Sequence, residues 1–110
     1  MVDWRRVTGF QRDNGNARKS VDKHSVSQAE AEEIFFNEPL LIVEDPAHSQ
    51  DELRLHALGQ TSDHRLLHLT FTLRERNTLI RIISARPMHR KERDFYAEAT
   101  KDSSTIHDGS

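Results

Sequence analysis

The chain has 110 residues, 35% of them hydrophobic and 31% charged, which is typical of one small, polar globular domain. It contains no cysteine, and this excludes disulfides, thiolate zinc sites and thiol nucleophiles. No apolar stretch approaches the length of a membrane span, and the first residues lack the apolar core of a signal peptide. We therefore expect a cytoplasmic protein with a single domain over residues 1–99 and a polar, flexible tail over residues 100–110.

The formal net charge of −2 hides an uneven distribution of charge along the chain. Residues 1–26 carry six Lys/Arg against three acids, and residues 27–52 carry eight acids and no Lys/Arg. Residues 53–101 carry ten Lys/Arg against five acids. Such segregation favours one cationic surface that faces an anionic partner, and the alternative is a solvated mixture of charges without a patch.

The N-terminal third of the chain predicts a short strand followed by two helices. Trp4 and Val7 can begin an edge strand that runs to Phe10. Residues 13–24 have a helical composition with a thin apolar stripe. A second helix is predicted over residues 28–36.

The second helix has a clear start signal. Ser27 stands three residues before Glu30, which is the spacing of a capping box, and Val26 can pack onto Ala31 as a hydrophobic staple. The i, i+3 and i+4 spacing of a buried helix face is found at Ala31, Ile34 and Phe35.

The rest of the chain predicts four strands and a C-terminal helix. Apolar runs and alternating patterns place the strands over residues 40–44, 53–59, 67–73 and 78–85. A helix then runs from Met88 to about Ala99, with Pro87 in its first turn, where a proline costs no hydrogen bond. The predicted order of elements is β-α-α-β-β-β-β-α.

Alternation in the two central strands predicts which residues are buried together. One face carries the odd-numbered residues Leu53, Leu55, Leu67, Leu69 and Phe71, with Ile34 and Phe35 packed on them. A three-residue loop over residues 61–63 would pair Gln60 with His64. That register places His56 opposite His68, and Arg54 opposite Thr70, on the other face.

Two arginines in the last strand are candidates for binding phosphate. Arg81 interrupts an isoleucine-rich run, so it either projects from a polar sheet face or is buried in an ion pair with an acid such as Glu44 or Glu52. Arg86 lies at the strand exit, where the alternative is a solvated surface charge.

Several short motifs resemble those of BrnT-type toxins of type II toxin–antitoxin pairs, small ribonucleases of the RelE-like class. The resemblance extends over roughly Phe10 to Tyr96 and is carried by Lys23-His24-Ser25-Val26, Glu44-Asp45-Pro46, Arg54 through Gly59, the run Arg81 to Arg86, Glu92 and Phe95-Tyr96. It implies a RelE-like α+β fold, with two N-terminal helices packed on an antiparallel four- to five-stranded sheet and a C-terminal helix.

The same resemblance implies a toxin that is a metal-independent endoribonuclease, cleaves RNA, inhibits translation and needs no cofactor. Its expected partner is a BrnA-like antitoxin, a ribbon-helix-helix DNA-binding protein, so that DNA is contacted only through the antitoxin and no membrane is involved. This sequence departs from the family pattern at Arg12, Asn16, Ser20 and Ser25. A weakened or inactive member that acts as a co-repressor or RNA-binding module is the alternative.

Cleavage of RNA by its own 2′-hydroxyl needs a base, an acid for the leaving 5′-oxygen, and cations for the charge on phosphorus. His56, His68 and Glu92 are among the candidates for the base and acid. The predicted catalytic residues are Arg81, Arg86, His24, Arg54, Glu52 and Tyr96. The predicted RNA contacts are Lys23, Arg65, Arg74, Arg76 and Arg90. No metal site is predicted, because the His56 and His68 pair lacks a nearby third ligand.

Overall fold

A computed structural model of the chain describes residues 4–11, 26–48 and 52–101. Its strands are β1 (Gly9–Gln11), β2 (Leu41–Glu44), β3 (Leu55–Gln60), β4 (Leu66–Arg74) and β5 (Leu79–Pro87). Its α-helices are α1 (Gln28–Glu33) and α2 (Arg90–Ala99), and three short 3-10 helices cover Trp4–Arg6, Ile34–Phe36 and Pro46–His48. In the part of the chain that the structure describes, no helix is long and apolar enough to cross a membrane.

The five strands form one mixed sheet in the order β1-β5-β4-β3-β2. The predicted α+β class is confirmed, but the prediction of an antiparallel sheet is wrong at one edge, where β1 runs parallel to β5. No hairpin turn fixes the direction of β1, because the chain passes from it through α1 to the opposite edge of the sheet. Trp4 forms a 3-10 helix rather than the start of the strand.

One of the two predicted N-terminal helices is confirmed, and the other, residues 13–24, lies outside the described residues. Helix α1 begins after Ser27, whose Oγ accepts a hydrogen bond of 3.0 Å from the backbone N–H of Glu30. Val26 and Ala31 are both buried in the main core, as the staple predicts. The helix then continues as a 3-10 turn to Phe36.

The main core lies between α1 with its 3-10 extension and one face of the sheet. The odd-numbered residues of the central strands are buried there as predicted, with Leu53 and Phe35 only partly buried. Gly59 permits the close approach of the 3-10 turn, since a Cβ at this position would lie 3.0 Å from the Cβ of Ile34. The hydrophobic pattern of β3 and β4 therefore determines which face the helix covers.

The register between β3 and β4 differs from the predicted one by two residues. Gln60 pairs with Leu66 rather than with His64, so the loop has five residues, 61–65, instead of three. The Thr61 side chain accepts a hydrogen bond of 3.1 Å from the N–H of Arg65 and closes this longer loop. Both loop lengths put the same residues on the same faces, which is why the buried set is right although the pairs are wrong.

As a result, the predicted cross-strand pairs of the polar face are wrong. His56 lies opposite Thr70, and His68 lies opposite Leu58. Arg54 precedes β3 and lies outside the β3–β4 ladder, so it is not opposite Thr70.

A β-bulge in β5 decides where Arg81 and Arg86 point. Pairing with β4 passes from Thr70–Ser84 to Phe71–Ile82, which leaves Ile83 as an extra residue. Residues 81 and 86 would face opposite sides of a regular strand. Because of the bulge, Arg81 lies opposite Thr72, Arg86 lies opposite His68, and both arginines are on the face away from the main core.

Helix α2 covers one end of that second face. Leu58, Met88 and Tyr96 form a small buried cluster there, packed against Leu41 and Leu66. The prediction that Pro87 opens the helix is wrong, because Pro87 is the last residue of β5 and pairs with Leu67. The ladder extends one residue further, since the N–H of Met88 donates to the carbonyl of Leu66 at 2.9 Å.

The end of α2 extends slightly into the predicted tail. Thr100 is buried, and its hydroxyl donates to the carbonyl of Tyr96 at 2.7 Å. Residues 102–110 lie outside the described residues.

Replacing Phe71 by Ala should lower the free energy of unfolding by about 3–5 kcal/mol. Phe71 is fully buried and packs edge-on against Phe35 with ring centroids 5.3 Å apart. Phe95→Ala is the control, since Phe95 is 53% exposed and its loss should cost less than about 1 kcal/mol. Urea denaturation of the two variants measures the difference, and equal losses would contradict the assignment of the core.

Candidate active site

Five polar side chains form a strip across three neighbouring strands, on the part of the second sheet face that α2 leaves open. This polar strip consists of His56 on β3, His68 and Thr70 on β4, and Arg81 and Arg86 on β5. The alternation of each strand, together with the bulge at Ile83, places all five on the same side.

His56 is held from both of its ring nitrogens. Its Nε2 lies 2.9 Å from Oδ2 of Asp45, which directly follows β2, and its Nδ1 lies 3.2 Å from the hydroxyl oxygen of Thr70. An ionised carboxylate only accepts hydrogen bonds, so Nε2 carries a proton. In the neutral ring, Nδ1 is therefore the nitrogen that accepts the Thr70 hydroxyl.

His68 stacks on His56, with ring centroids 5.0 Å apart and an interplanar angle of 27°. Its Nδ1 is buried and has no hydrogen-bond partner among the described residues. Burial, reinforced by the nearby cation of Arg86, lowers the pKa of His68 from 6.5 to about 4. His68 is therefore neutral at pH 7 and adds no positive charge to the stacked pair.

Arg86 is locked to Glu92 at the start of α2. Its Nη1 and Nη2 each donate to a different oxygen of the carboxylate at 2.7 Å, and Nη1 also donates to the carbonyl of Pro87 at 3.1 Å. The hydrogen bonds from Arg86 lower the pKa of Glu92 from 4.5 to about 2. Both side chains are only 24% exposed, so the alternative of a freely solvated Arg86 is wrong.

Glu92 also begins the helix. Its Oε1 accepts a hydrogen bond of 2.8 Å from the backbone N–H of His89, which is the N-cap residue of α2. The same carboxylate oxygen therefore contacts the polar strip and the helix start.

Arg81 lies at the far end of the strip. Its side chain is half-buried, and its Nη1 donates to Oε1 of Gln11 on β1 at 3.3 Å. The partners of the two arginines on β4, His68 and Thr72, are four residues apart, which corresponds to roughly 13 Å along the strand. Arg81 reaches toward β1 and Arg86 toward α2, so the two guanidinium groups lie at opposite ends of the polar strip.

Two of the predicted RNA-binding arginines are paired with carboxylates. Arg65 donates from Nη1 to both oxygens of Glu30, at 2.7 and 2.8 Å. Nε of Arg74 lies 2.9 Å from Oε1 of Glu52, so the predicted catalytic Glu52 takes part in an ion pair at the end of β4. Arg65, Arg74 and Glu52 lie beside the sheet ends rather than in the polar strip.

The remaining candidates lie on the surface or in the small buried cluster of Leu58, Met88 and Tyr96. Arg76 is exposed in the β4–β5 turn with a left-handed φ of 58°, and Arg90 is exposed in the first turn of α2. The carbonyl of Arg54 accepts a hydrogen bond of 2.9 Å from the N–H of Asp45. The Tyr96 hydroxyl is buried and donates to the carbonyl of Pro39, a position that favours packing. Lys23 and His24 lie outside the described residues.

Among the described residues, neither a metal-binding cluster nor a cavity of about 460 Å³ lies at the polar strip. Residues 4–11, 26–48 and 52–101 contain no group of three His, Cys, Asp or Glu side chains that could hold a metal ion. A cavity of about 460 Å³ lies beside the main core, and none of its lining residues, Trp4 and Phe35 among them, is ionisable. We therefore take the polar strip, with its two imidazoles and two guanidinium groups, as the candidate active site.

Sequence reasoning missed three members of this arrangement. Asp45 stood in a motif without an assigned role, and Thr70 and Gln11 were not considered as hydrogen-bond partners. The position of Asp45 just beyond a strand that pairs with β3 was the available signal, since residues there can reach the side chains of β3.

The fold and the polar strip together define a small α+β domain with histidine and arginine side chains on one face of its sheet. Residues 13–92 match the profile of the family described as ribonuclease toxin, BrnT, of type II toxin–antitoxin system. The chain therefore belongs to the BrnT toxin family.

A solved structure supports the fold. The ribonuclease toxin BrnT of Brucella abortus superposes with a TM-score of 0.56 at 16% sequence identity, over 76% of this chain and 100% of that one. No curated protein sequence matches this chain.

The neutral state of His68 predicts a loss of stability in mild acid. The folded-state pKa of about 4 lies below the ordinary value of 6.5, so the unfolded chain binds a proton first as the pH falls. This contribution to stability is complete above pH 6.5 and is lost as the pH falls through 4. The urea midpoint should therefore be lower at pH 4.5 than at pH 7, and His68→Gln should reduce that difference.

His64→Asn is the control for this experiment, because His64 is exposed in the β3–β4 loop and has a left-handed φ that asparagine tolerates. It should keep the pH dependence of the wild type. A wild-type midpoint that does not change between pH 7 and 4.5 would contradict the neutral state of His68.

Proposed function

We propose that this toxin is a metal-independent endoribonuclease that cleaves RNA, inhibits translation and is neutralised by a BrnA-like antitoxin. The observation that carries the proposal is the polar strip, which brings two guanidinium groups and two imidazoles to one face of the sheet. A rigid sheet holds these groups in place without reorganisation, as charge stabilisation in a transition state requires.

Arg86 is the cation that we assign to the reacting phosphate. A guanidinium has five N–H donors, and the two bonds to Glu92 and the one to Pro87 use three of them. The remaining donors can reach a phosphate oxygen beside the imidazole pair. Arg81, roughly 13 Å away along the strand, then binds a neighbouring phosphate of the same RNA.

Metal independence is supported by the charge that these residues provide. The transition state of 2′-hydroxyl attack places additional negative charge on the phosphate oxygens. Arginine supplies a permanent positive charge with bidentate geometry, which performs the same electrostatic task as a metal ion.

The partner follows from the family. A type II toxin is paired with a protein antitoxin, and the resemblance to BrnT-type toxins favours a BrnA-like, ribbon-helix-helix DNA-binding protein. Contact with DNA would then be made through the antitoxin.

One observation favours a second function, that of an RNA-binding module or co-repressor without turnover. Arg86 in the polar strip, and Arg65 and Arg74 beside the sheet ends, each contact a carboxylate, which lowers the net positive charge that this surface offers to RNA. Expression of the chain without an antitoxin distinguishes the two functions, because an active ribonuclease toxin arrests growth and a silent module does not.

Cleavage of RNA by the purified chain should be unaffected by a chelator. Arginine charge persists in EDTA, so the initial rate on a single-stranded RNA should be the same with EDTA as with magnesium. The Arg81→Ala/Arg86→Lys double variant, purified in parallel, controls for a contaminating host nuclease. Loss of activity in EDTA and recovery with magnesium would contradict metal independence.

Single substitutions should separate the roles of the two arginines. Arg81→Ala should mainly raise KM, because it removes binding that ground state and transition state share. Arg86→Lys keeps a positive charge beside Glu92 but loses the bidentate fork, and kcat should fall by about 10²-fold. Steady-state kinetics and thermal melting of each variant provide the measurement.

The exposed Lys91→Ala is the control, since it removes one positive charge from α2 outside the strip. It should leave both constants unchanged. A fall in kcat at constant KM in Arg81→Ala would contradict the division of roles between the two arginines.

A further inference from the structure

The geometry points to His56, oriented by Asp45, as the general base that removes the proton from the 2′-hydroxyl of the RNA substrate. This assignment rests on the proposed endoribonuclease function and adds the identity of the base to it. Asp45 is a positioning residue, because it acts on the substrate only through His56.

The orientation of His56 is fixed by a second element of the fold. Asp45 follows the edge strand β2, whereas His56 lies in β3, and the 2.9 Å contact between them joins the two strands through their side chains. The Asp45 side chain is only 14% exposed, so water competes poorly for this contact. Because the carboxylate accepts the Nε2 proton, the lone pair of the neutral ring is on Nδ1.

The lone pair on Nδ1 faces a hydroxyl on the open side of the sheet. The Thr70 hydroxyl lies 3.2 Å from Nδ1, which is within the distance at which a general base takes a proton. The Thr70 hydroxyl occupies this lone pair, so the ribose 2′-hydroxyl would take its place on Nδ1 in the complex with RNA. The His56 side chain is 30% exposed, so the ring is accessible to a ligand on the strip.

A carboxylate beside His56 can balance the charge that a general base gains. After uptake the ring is a cation, and Asp45 supplies the compensating charge. The stacked His68 adds no repulsion, because burial and Arg86 lower its pKa to about 4. Within residues 4–11, 26–48 and 52–101, the titratable and charged groups that face the two rings are Asp45, Arg86, His89 and Glu92.

The reaction balances without a further reagent. The 2′-hydroxyl proton passes to Nδ1 of His56 as the 2′-oxygen forms a bond to phosphorus. The bond from phosphorus to the 5′-oxygen breaks, and this oxygen takes a proton from solvent. His56 then releases its proton to solvent, which leaves a 2′,3′-cyclic phosphate and a 5′-hydroxyl.

The test compares Asp45→Asn and His56→Gln with their double variant on a single-stranded RNA. Asparagine can donate to Nε2 and so favours the tautomer in which Nδ1 is protonated and cannot act as a base. We expect kcat to fall by about 10²-fold or more in each single variant. The double variant should be no slower than the slower single variant, because residues that act as one unit are not additive.

Two further measurements separate catalysis from binding and folding. Affinity for a 2′-O-methylated RNA of the same sequence should be unchanged in both single variants, since that ligand has no proton to remove. The acidic limb of the pH profile of kcat/KM, which reports the base of the free enzyme, should disappear in His56→Gln. Glu44→Gln is the matched control, because it removes one exposed carboxylate from the residue next to Asp45 and should cleave at the wild-type rate.

The outcomes distinguish this inference from the function on which it rests. A wild-type chain that leaves RNA intact rejects the endoribonuclease function and the assignment with it. An active wild type combined with an equally active Asp45→Asn or His56→Gln rejects the assignment alone, as does an additive loss in the double variant. Should Asp45→Asn fail to fold, His56→Ala with added imidazole decides, because recovery of cleavage supports the base and absence of recovery overturns it.

Discussion

One extra residue in β5, Ile83, determines which side chains the open face of the sheet presents. In a regular strand, Arg81 and Arg86 would lie on opposite sides, and one of the two cations would enter the main core. The bulge reverses the alternation between them and leaves Ile80, Ile82 and Ala85 buried on the other face. The separation of an apolar core from a charged surface within one strand depends on this irregularity.

Along the polar strip, charged and neutral groups alternate in a way that limits repulsion. Glu92 is ionised and pairs with Arg86, Arg86 lies beside a histidine that burial keeps neutral, and the second histidine contacts a carboxylate. Two imidazolium rings 5.0 Å apart would repel each other, and the lowered pKa of His68 removes that repulsion from the stacked pair. Each charged group of this arrangement therefore lies beside an opposite charge or a neutral ring.

The sequence predicted the buried residues of the core correctly, but it predicted the cross-strand residue pairs incorrectly. Period-two alternation identified the buried face of β3 and β4, and the Ser27 capping box identified the start of α1. Alternation repeats every two residues, so it could not distinguish a three-residue loop from a five-residue loop, and the partner of His56 was missed. The bulge at Ile83 and the contact between Asp45 and His56 depend on how separate elements pack. A local hydrophobic pattern in the sequence cannot predict such packing.

The double role of Glu92 limits what conservation of this residue can indicate about function in the family. One oxygen of its carboxylate accepts the N–H of His89 at the start of α2 and the guanidinium of Arg86 in the strip. Loss of either partner would leave a half-buried charge, so folding alone is enough for natural selection to retain both residues. A copy that no longer cleaves RNA would keep the same pair for the sake of its helix. Retention of Arg86 and Glu92 in a relative therefore indicates that the relative has kept the fold. It does not indicate that the relative is still a toxin.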